Sequence, residues 1–136
     1  MENTFKLIIR TPQETVFEGE AEKIHFASDG GEMEVYANHA SVTATLTFSP
    51  IKVKSGDKEE EYLARSGIFL FENAENSATM LAIHCEKKSE INHQTIKEYA
   101  DFIDQQLKEG HALSEFQILY LKGEKIAIEA QIKAIE

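Results

Sequence analysis

The hydrophobic period of this chain of 136 residues changes once, near Lys88, and this change limits the fold more than any other feature. Before it, apolar and polar residues alternate, as between Phe5 and Ile9, which is the period of a half-buried strand. After it, apolar residues recur every third or fourth position, which is the period of an amphipathic helix. The sequence therefore predicts a β-sheet domain over residues 1–87 and a helical appendage over residues 88–136.

The first region contains nine short segments that are rich in β-branched and aromatic residues and are separated by turn residues such as Gly30-Gly31 and Gly56-Asp57. No helical pattern lies between them, so the strands must pair with one another. The pattern favours an antiparallel β-sandwich or barrel. The predicted strands are 5–10, 15–18, 22–27, 33–36, 42–46, 51–54, 60–66, 68–72 and 79–84.

The second region predicts two helices. Asn92 suits the N-cap of the first helix, Gly110 suits its end, and the hydroxyl of Ser114 suits the cap of the second. Since only residues 110–113 separate them, the helices should form an antiparallel hairpin. The apolar stripes are Ile96, Tyr99, Ala100, Ile103 and Leu107 in the first helix and Leu121, Ile128, Ile132 and Ile135 in the second.

Charge and composition exclude several classes of function. A formal net charge of -10 repels nucleic acid and anionic lipid, which both need a basic footprint. The single Cys85 excludes an internal disulfide and suits a reducing compartment. The segment 1–6 lacks the features of a secretory signal, and no apolar run is long enough to cross a bilayer, so we expect no direct membrane insertion.

Two short motifs suggest ligand sites, but a structural role explains each of them better. Gly30-Gly31 is followed by neither a helix start nor a Lys-Ser/Thr pair, so it predicts a tight turn and not a phosphate loop. His84 and Cys85 are neighbours in a predicted strand, so their side chains point to opposite faces and do not share one metal ion.

His39 has the acidic residues Asp29 and Glu32 nearby in sequence, and a general base is one interpretation of it. No convincing nucleophile accompanies it, so a structural or interfacial role is favoured. The acidic run 59–61 alternates along a predicted hairpin strand, so its side chains need not converge on a cation. The residues therefore favour an interaction module over an enzyme, and the pattern leaves open whether the helical hairpin packs on its own domain or enters a partner's groove.

Several motifs, in register, resemble the epsilon subunits of F-type ATP synthases. Residues 16–24, Val-Phe-Glu-Gly-Glu-Ala-Glu-Lys-Ile, are similar to the family's second-to-third strand signature. Residues 31–40, Gly-Glu-Met-Glu-Val-Tyr-Ala-Asn-His-Ala, resemble its Gly-Glu-Leu-Gly-Ile-Leu-Pro-Gly-His-Ala segment. Residues 66–72 resemble its Ser-Gly-Gly-Phe-Leu-Glu-Val strand. Glu34 departs from the family's Gly, and Ala37-Asn38 replaces Pro-Gly, although Asn38 tolerates the positive φ that the turn needs.

The resemblance implies a sandwich of about ten strands followed by a two-helix hairpin, in a non-catalytic subunit of the central stalk. The implied partners are the gamma subunit and the c-ring, with conditional contact of the helices with the alpha and beta subunits. The implied location is the cytoplasmic face of the cell membrane, as a peripheral part of the complex. The implied contact residues for the rotor ring and gamma are Glu32, Tyr36, Asn38 and His39.

Some bacterial members of that family bind ATP through an Ile/Leu-Asp-x-x-Arg-Ala motif, which reads Ile-Asn-His-Gln-Thr-Ile here at residues 91–96. The acidic side chain and the phosphate-binding Arg are both missing, so we expect no bound nucleotide and no other cofactor. The alternative to this family is an unrelated β-sandwich adaptor or binding module. A sugar-binding module is disfavoured because the chain has no Trp for an aromatic platform.

Overall fold

The computed structural model describes residues 3–88, 93–108 and 115–135, and the chain divides into two compact units, Met1–Glu90 and Ile91–Glu136. The first unit holds the strands and the second holds the helices. The elements are β1 (Phe5–Arg10), β2 (Thr15–Ala21), β3 (Lys23–Ser28), β4 (Gly31–Tyr36), β5 (Val42–Ser55), β6 (Lys58–Glu72), β7 (Ser77–Lys87), α1 (His93–Lys108) and α2 (Glu115–Ile135).

Residues 3–88 form one seven-stranded sheet in the order β2-β1-β7-β6-β5-β3-β4. Neighbouring strands are antiparallel except β1 and β7, which run parallel and make the sheet mixed. The prediction of about ten antiparallel strands is therefore wrong in number and in direction. Segments 42–46 and 51–54 both belong to β5, and segments 60–66 and 68–72 both belong to β6, because these strands bend without ending.

The bend in β6 is visible in its burial pattern. The positions that belong to the main core cluster change from even to odd numbers along the strand, with Tyr62 and Ala64 in the first half and Phe69 and Phe71 in the second. Since alternate side chains of a strand point to opposite faces, the strand must rotate about its axis between the two halves. Ser66 lies at this point with a φ of 55°, in the left-handed region, and so accommodates the rotation.

A contact between aromatic rings shows how far the sheet folds over. The rings of Phe26 in β3 and Phe69 in β6 lie 4.8 Å apart. Their partners on the intervening β5 are Ile51 and Ala44, which are separated by roughly 23 Å of extended strand. The two rings meet only because the bent sheet closes over itself, which gives a sandwich with the core between its halves.

The two helices contact each other, as a hairpin requires. Three residues of the predicted stripe of α1 are buried, namely Ile96, Tyr99 and Ile103. Lys125 Nζ of α2 lies 2.7 Å from Asp104 Oδ1 of α1. The predicted caps at Asn92, Gly110 and Ser114, and the side chains of Ile132 and Ile135, lie outside the described residues. Neither helix, as far as it is described, is long and apolar enough to span a membrane.

Candidate partner-binding site

Three of the four predicted contact residues lie in one turn. Tyr36 ends β4, and Asn38 and His39 follow it in the connection to β5. Glu32 lies at the opposite end of β4, about 13 Å away along the extended strand. The structure therefore brings Tyr36, Asn38 and His39 together and leaves Glu32 apart. We call residues 36–41 the His39 turn.

The His39 turn has the geometry of a type II β-turn. The His39 N–H donates to the carbonyl of Tyr36 at 3.3 Å, which closes a four-residue turn. Asn38, its third residue, has a φ of 63°, whereas Ala37 is outside the set of residues with positive φ. Gly and Asn are the residues that tolerate this conformation. The prediction that Asn38 preserves the turn is confirmed.

The His39 ring is held on two sides. Its Nδ1 lies 2.7 Å from the carbonyl oxygen of Ala40, so the Nδ1–H donates there. Its edge packs on Phe71 of β6, with ring centroids 5.8 Å apart and an interplanar angle of 69°. In a neutral imidazole, a proton on Nδ1 leaves Nε2 as the acceptor. The ring is thus oriented within its own turn, with Nε2 as the nitrogen that a partner's donor would bind.

A second turn, residues 73–76 between β6 and β7, is bonded to the His39 turn. Asn73 Nδ2 donates to the carbonyls of Asn38 at 3.0 Å and His39 at 2.9 Å. The Asn38 N–H donates to Asn76 Oδ1 at 2.7 Å. The Asn73 N–H donates to the hydroxyl of Ser41 at 2.9 Å. In the sequence these asparagines lie between the predicted strands 68–72 and 79–84, and the signal that could have identified them is an Asn at each end of a four-residue turn.

Glu32 and Asp29, the acidic residues considered as partners of His39, bind other groups. Glu32 Oε1 lies 3.1 Å from Nε2 of His25 on the neighbouring β3. Asp29 accepts the hydroxyls of Thr45 and Thr47, each at 2.8 Å. These bonds attach the turn before Gly31 to β5. Ser28 pairs with Gly31 across the β3–β4 hairpin, so only Asp29 and Gly30 connect the strands, which confirms a tight turn there. The carboxylates are placed to secure the β3–β4 hairpin and do not orient His39 as a general base.

Tyr36 belongs to a small polar network on the edge strand. Lys23 Nζ lies 3.1 Å from Glu34 Oε1, and the Tyr36 hydroxyl also donates to Glu34. The hydrogen bond from Lys23, followed by that from Tyr36, lowers the pKa of the Glu34 carboxyl. The bond to Glu34 raises the pKa of Tyr36. Glu34, which departs from the family's Gly, therefore interacts with Tyr36 at the start of the His39 turn.

Side-chain direction excludes the two remaining ligand sites that the sequence suggested, the His84–Cys85 pair and the acidic run 59–61. Cys85 is buried and His84 is half-exposed, which confirms that they face opposite ways. Burial raises the pKa of the Cys85 thiol to about 12. In the acidic run, Glu61 pairs with Lys52 at 3.7 Å, whereas Glu60 accepts from the buried Tyr62, so the side chains alternate as predicted. Across the described ranges, no three His, Cys, Asp or Glu side chains converge as a metal site would require.

Comparisons with known proteins agree with the motifs. The family model of the ATP synthase delta/epsilon chain β-sandwich domain matches residues 4–88. The ATP synthase epsilon chain of Clostridium novyi is 31% identical over 136 residues, which cover 100% of this chain and 98% of that protein. The sodium-ion-specific ATP synthase epsilon chain of Propionigenium modestum is 34% identical over 104 residues, which cover 76% of this chain and 74% of that protein.

Solved structures show the same fold. A chain of the Euglena gracilis mitochondrial ATP synthase matches with a TM-score of 0.65 at 15% identity, covering 100% of this chain and 84% of that one. A chain of the Tetrahymena thermophila mitochondrial ATP synthase matches with a TM-score of 0.54 at 11% identity, covering 97% and 96%. The family match over the sandwich and the full-length relative together show that the chain belongs to the ATP synthase delta/epsilon chain family, as a non-catalytic epsilon subunit of the central stalk.

Proposed function

We propose that this epsilon subunit couples ion flow through a ring of c subunits to rotation of the central stalk, with the His39 turn as part of its contact with the ring and with gamma. The observation that carries the proposal is the family match, which spans residues 4–88 and so includes the whole turn. The catalytic chemistry belongs to other subunits. This chain supplies a rigid connection between rotor and stalk.

The chemistry of the His39 turn fits a polar partner. Tyr36 and Asn38 are exposed, and His39 contributes an acceptor nitrogen on an oriented ring. Polar loops at the end of a c-ring would offer donors to such a surface. Glu32, at the other end of β4, would give a second contact about 13 Å from Tyr36, as a broad interface requires.

The location follows from the proposed partners. A subunit that rests on the c-ring lies at the cytoplasmic face of the cell membrane as a peripheral component, held there by other chains. The acidic character of the chain agrees with this, since a net charge of -10 gives no attraction to anionic lipid.

The C-terminal helices have a separate proposed role, which is conditional inhibition of ATP hydrolysis through contact with the alpha and beta subunits. They form a unit of their own, and α2 carries apolar side chains, Leu119 and Ile126, that are 69% and 70% exposed. Exposed apolar side chains on a helix suit insertion into a partner's groove. Removal of residues 89–136 should raise ATP hydrolysis by the assembled enzyme, and unchanged hydrolysis would contradict this role.

Reconstitution tests the coupling role. Membranes depleted of this subunit should regain ATP-driven ion pumping when the full chain is added back. The variants Glu32→Ala and His39→Ala should bind but restore fewer ions pumped per ATP hydrolysed, because they remove side chains from the contact surface. Full pumping with both variants would show that this surface is not the rotor contact.

A further inference from the structure

The backbone of Asn38 and His39 is completely hydrogen-bonded, although the turn is on the surface. The Asn38 N–H binds Asn76 Oδ1 at 2.7 Å, and the His39 N–H binds the Tyr36 carbonyl at 3.3 Å. Both carbonyls bind Asn73 Nδ2, at 3.0 and 2.9 Å. Neither peptide group can therefore rotate without breaking a bond to the protein.

Hydrogen-bond satisfaction alone does not explain these contacts. Asn38 is exposed, and water satisfies exposed peptide groups at little cost. Three of the four bonds come from residues 34 to 38 positions away in the chain, so they fix the turn relative to a different part of the sheet. Asn76 Nδ2 also donates to the carbonyl of Thr4 at 2.9 Å, which attaches this turn to the beginning of β1.

The turn itself lacks the residue that would stiffen it. Its second position is Ala37, whose φ is free, whereas type II turns favour Pro there because the ring fixes φ. A turn with a free φ would lose conformational freedom when a partner binds it, and this loss of entropy would weaken binding. The hydrogen bonds from Asn73 and Asn76 restrict the backbone of the turn in place of a Pro at position 37.

We propose that Asn73 and Asn76 are positioning residues that hold the His39 turn in the conformation in which it contacts the rotor. This inference rests on the proposed function of that turn. The two asparagines do not touch the partner in this account. They act through Asn38 and His39, so their removal should leave the fold and assembly intact while weakening the transmission of torque.

The first experiment measures the turn in the free full-length chain. Asn73→Ala leaves the Asn38 N–H and its acceptor in place but frees the two carbonyls, so amide hydrogen exchange at Asn38 should become about tenfold faster. Thr11→Ala is the matched control, since it removes side-chain bonds to the N–H groups of Gln13 and Glu14 in a turn at the other end of β1. Unchanged exchange at Asn38 in Asn73→Ala would overturn the inference.

The second experiment measures function in the assembled enzyme. Asn73→Ala and Asn76→Gly, which keeps the positive φ at position 76, should assemble normally and lower the number of ions pumped per ATP hydrolysed. Adding Ala37→Pro to Asn73→Ala should restore pumping, because Pro stiffens the turn from within. Thr11→Ala should pump like the unaltered chain. A loss of pumping that Ala37→Pro does not restore would contradict a positioning role.

The His39→Ala and Asn73→Ala variants distinguish the contact surface from the residues that position it. If His39→Ala lowers pumping and Asn73→Ala does not, the contact surface stands and the positioning role is wrong. If His39→Ala also leaves pumping intact, the surface itself is wrong, and the inference falls with it.

Discussion

Burial protects Cys85 from reagents in the solvent. Cys85 is 6% exposed in β7, and its burial raises the pKa of the thiol to about 12. The reactive form of a cysteine is the thiolate, which at about pH 8 would be roughly one part in ten thousand of this residue. The position is therefore a core position and not a redox site.

We predict that the native chain does not react with a thiol reagent at mildly alkaline pH and reacts fully once unfolded. The physical reason is the combination of low exposure and a raised pKa at Cys85. Labelling followed by mass measurement, with and without denaturant, checks it. Rapid labelling of the folded chain would contradict the burial of β7 in the core.

A second prediction at this scale concerns Glu34. Its pKa in the folded chain lies below the ordinary value of 4.5, mainly because of Lys23, so the pair stabilises the fold above that value and the stabilisation is lost as pH falls through the folded-state pKa. Glu34→Gln should lower the free energy of unfolding slightly near neutral pH, and the difference should vanish in strong acid. Urea unfolding across pH measures it, and a difference that persists in acid would exclude the ion pair as its cause.

At the scale of the elements, the long bent strands decide the architecture. In the part of β6 where the core-facing positions change from even to odd, Gly67 packs closely against its neighbours. A Cβ at this position would lie 2.9 Å from the carbonyl oxygen of Leu81 and 3.3 Å from Ala82 Cβ. The absence of a side chain therefore lets β6 and β7 stay paired through the bend.

Gly67→Ala should destabilise the sandwich by about 1–3 kcal/mol, because the added methyl group meets backbone that has little room to move. Gly19→Ala is the matched control, since a Cβ there would meet only the Phe17 ring at 3.7 Å. Its effect should stay within about 0.5 kcal/mol. Chemical denaturation measures both, and equal effects would show that the bend does not depend on close approach at Gly67.

The same bends explain what the sequence could and could not predict about the strands. Alternation located nearly every strand segment, because side-chain period is a local property. Continuity was not predictable, since a strand that rotates at Ser66 changes its core-facing positions from even to odd and resembles two strands separated by a turn. The parallel pairing of β1 with β7 joins residues about seventy positions apart, and no local pattern records it.

At the scale of the whole molecule, the two units are expected to be independent in stability. The sheet encloses its own core, formed by fully buried residues from both halves such as Leu7, Phe26 and Met80. A chain ending at residue 88 should unfold in one cooperative transition, because its core needs no helix. Circular dichroism and calorimetry measure it, and a molten or aggregated product would contradict this independence.

The candidate site was predictable only in part. The residues of the His39 turn were found through resemblance, and the positive φ at Asn38 followed from turn chemistry. Asn73 and Asn76 were not found, because their partners lie 34 to 38 positions away in sequence and the contacts depend on how the sheet folds over. Glu32 was grouped with His39 because both follow turn residues, although β4 separates them.

Cross-linking in the assembled enzyme tests whether the His39 turn contacts the rotor. Because Cys85 is buried, the cysteine in His39→Cys is the reactive thiol of that variant, and it should cross-link to the c-ring or to gamma. The control is Gln13→Cys, which should stay unlinked. Gln13 lies in the turn that follows β1, whereas the bond between Thr4 and Asn76 lies at the beginning of that strand. A cross-link from position 13 with none from position 39 would contradict the placement of the His39 turn on the rotor.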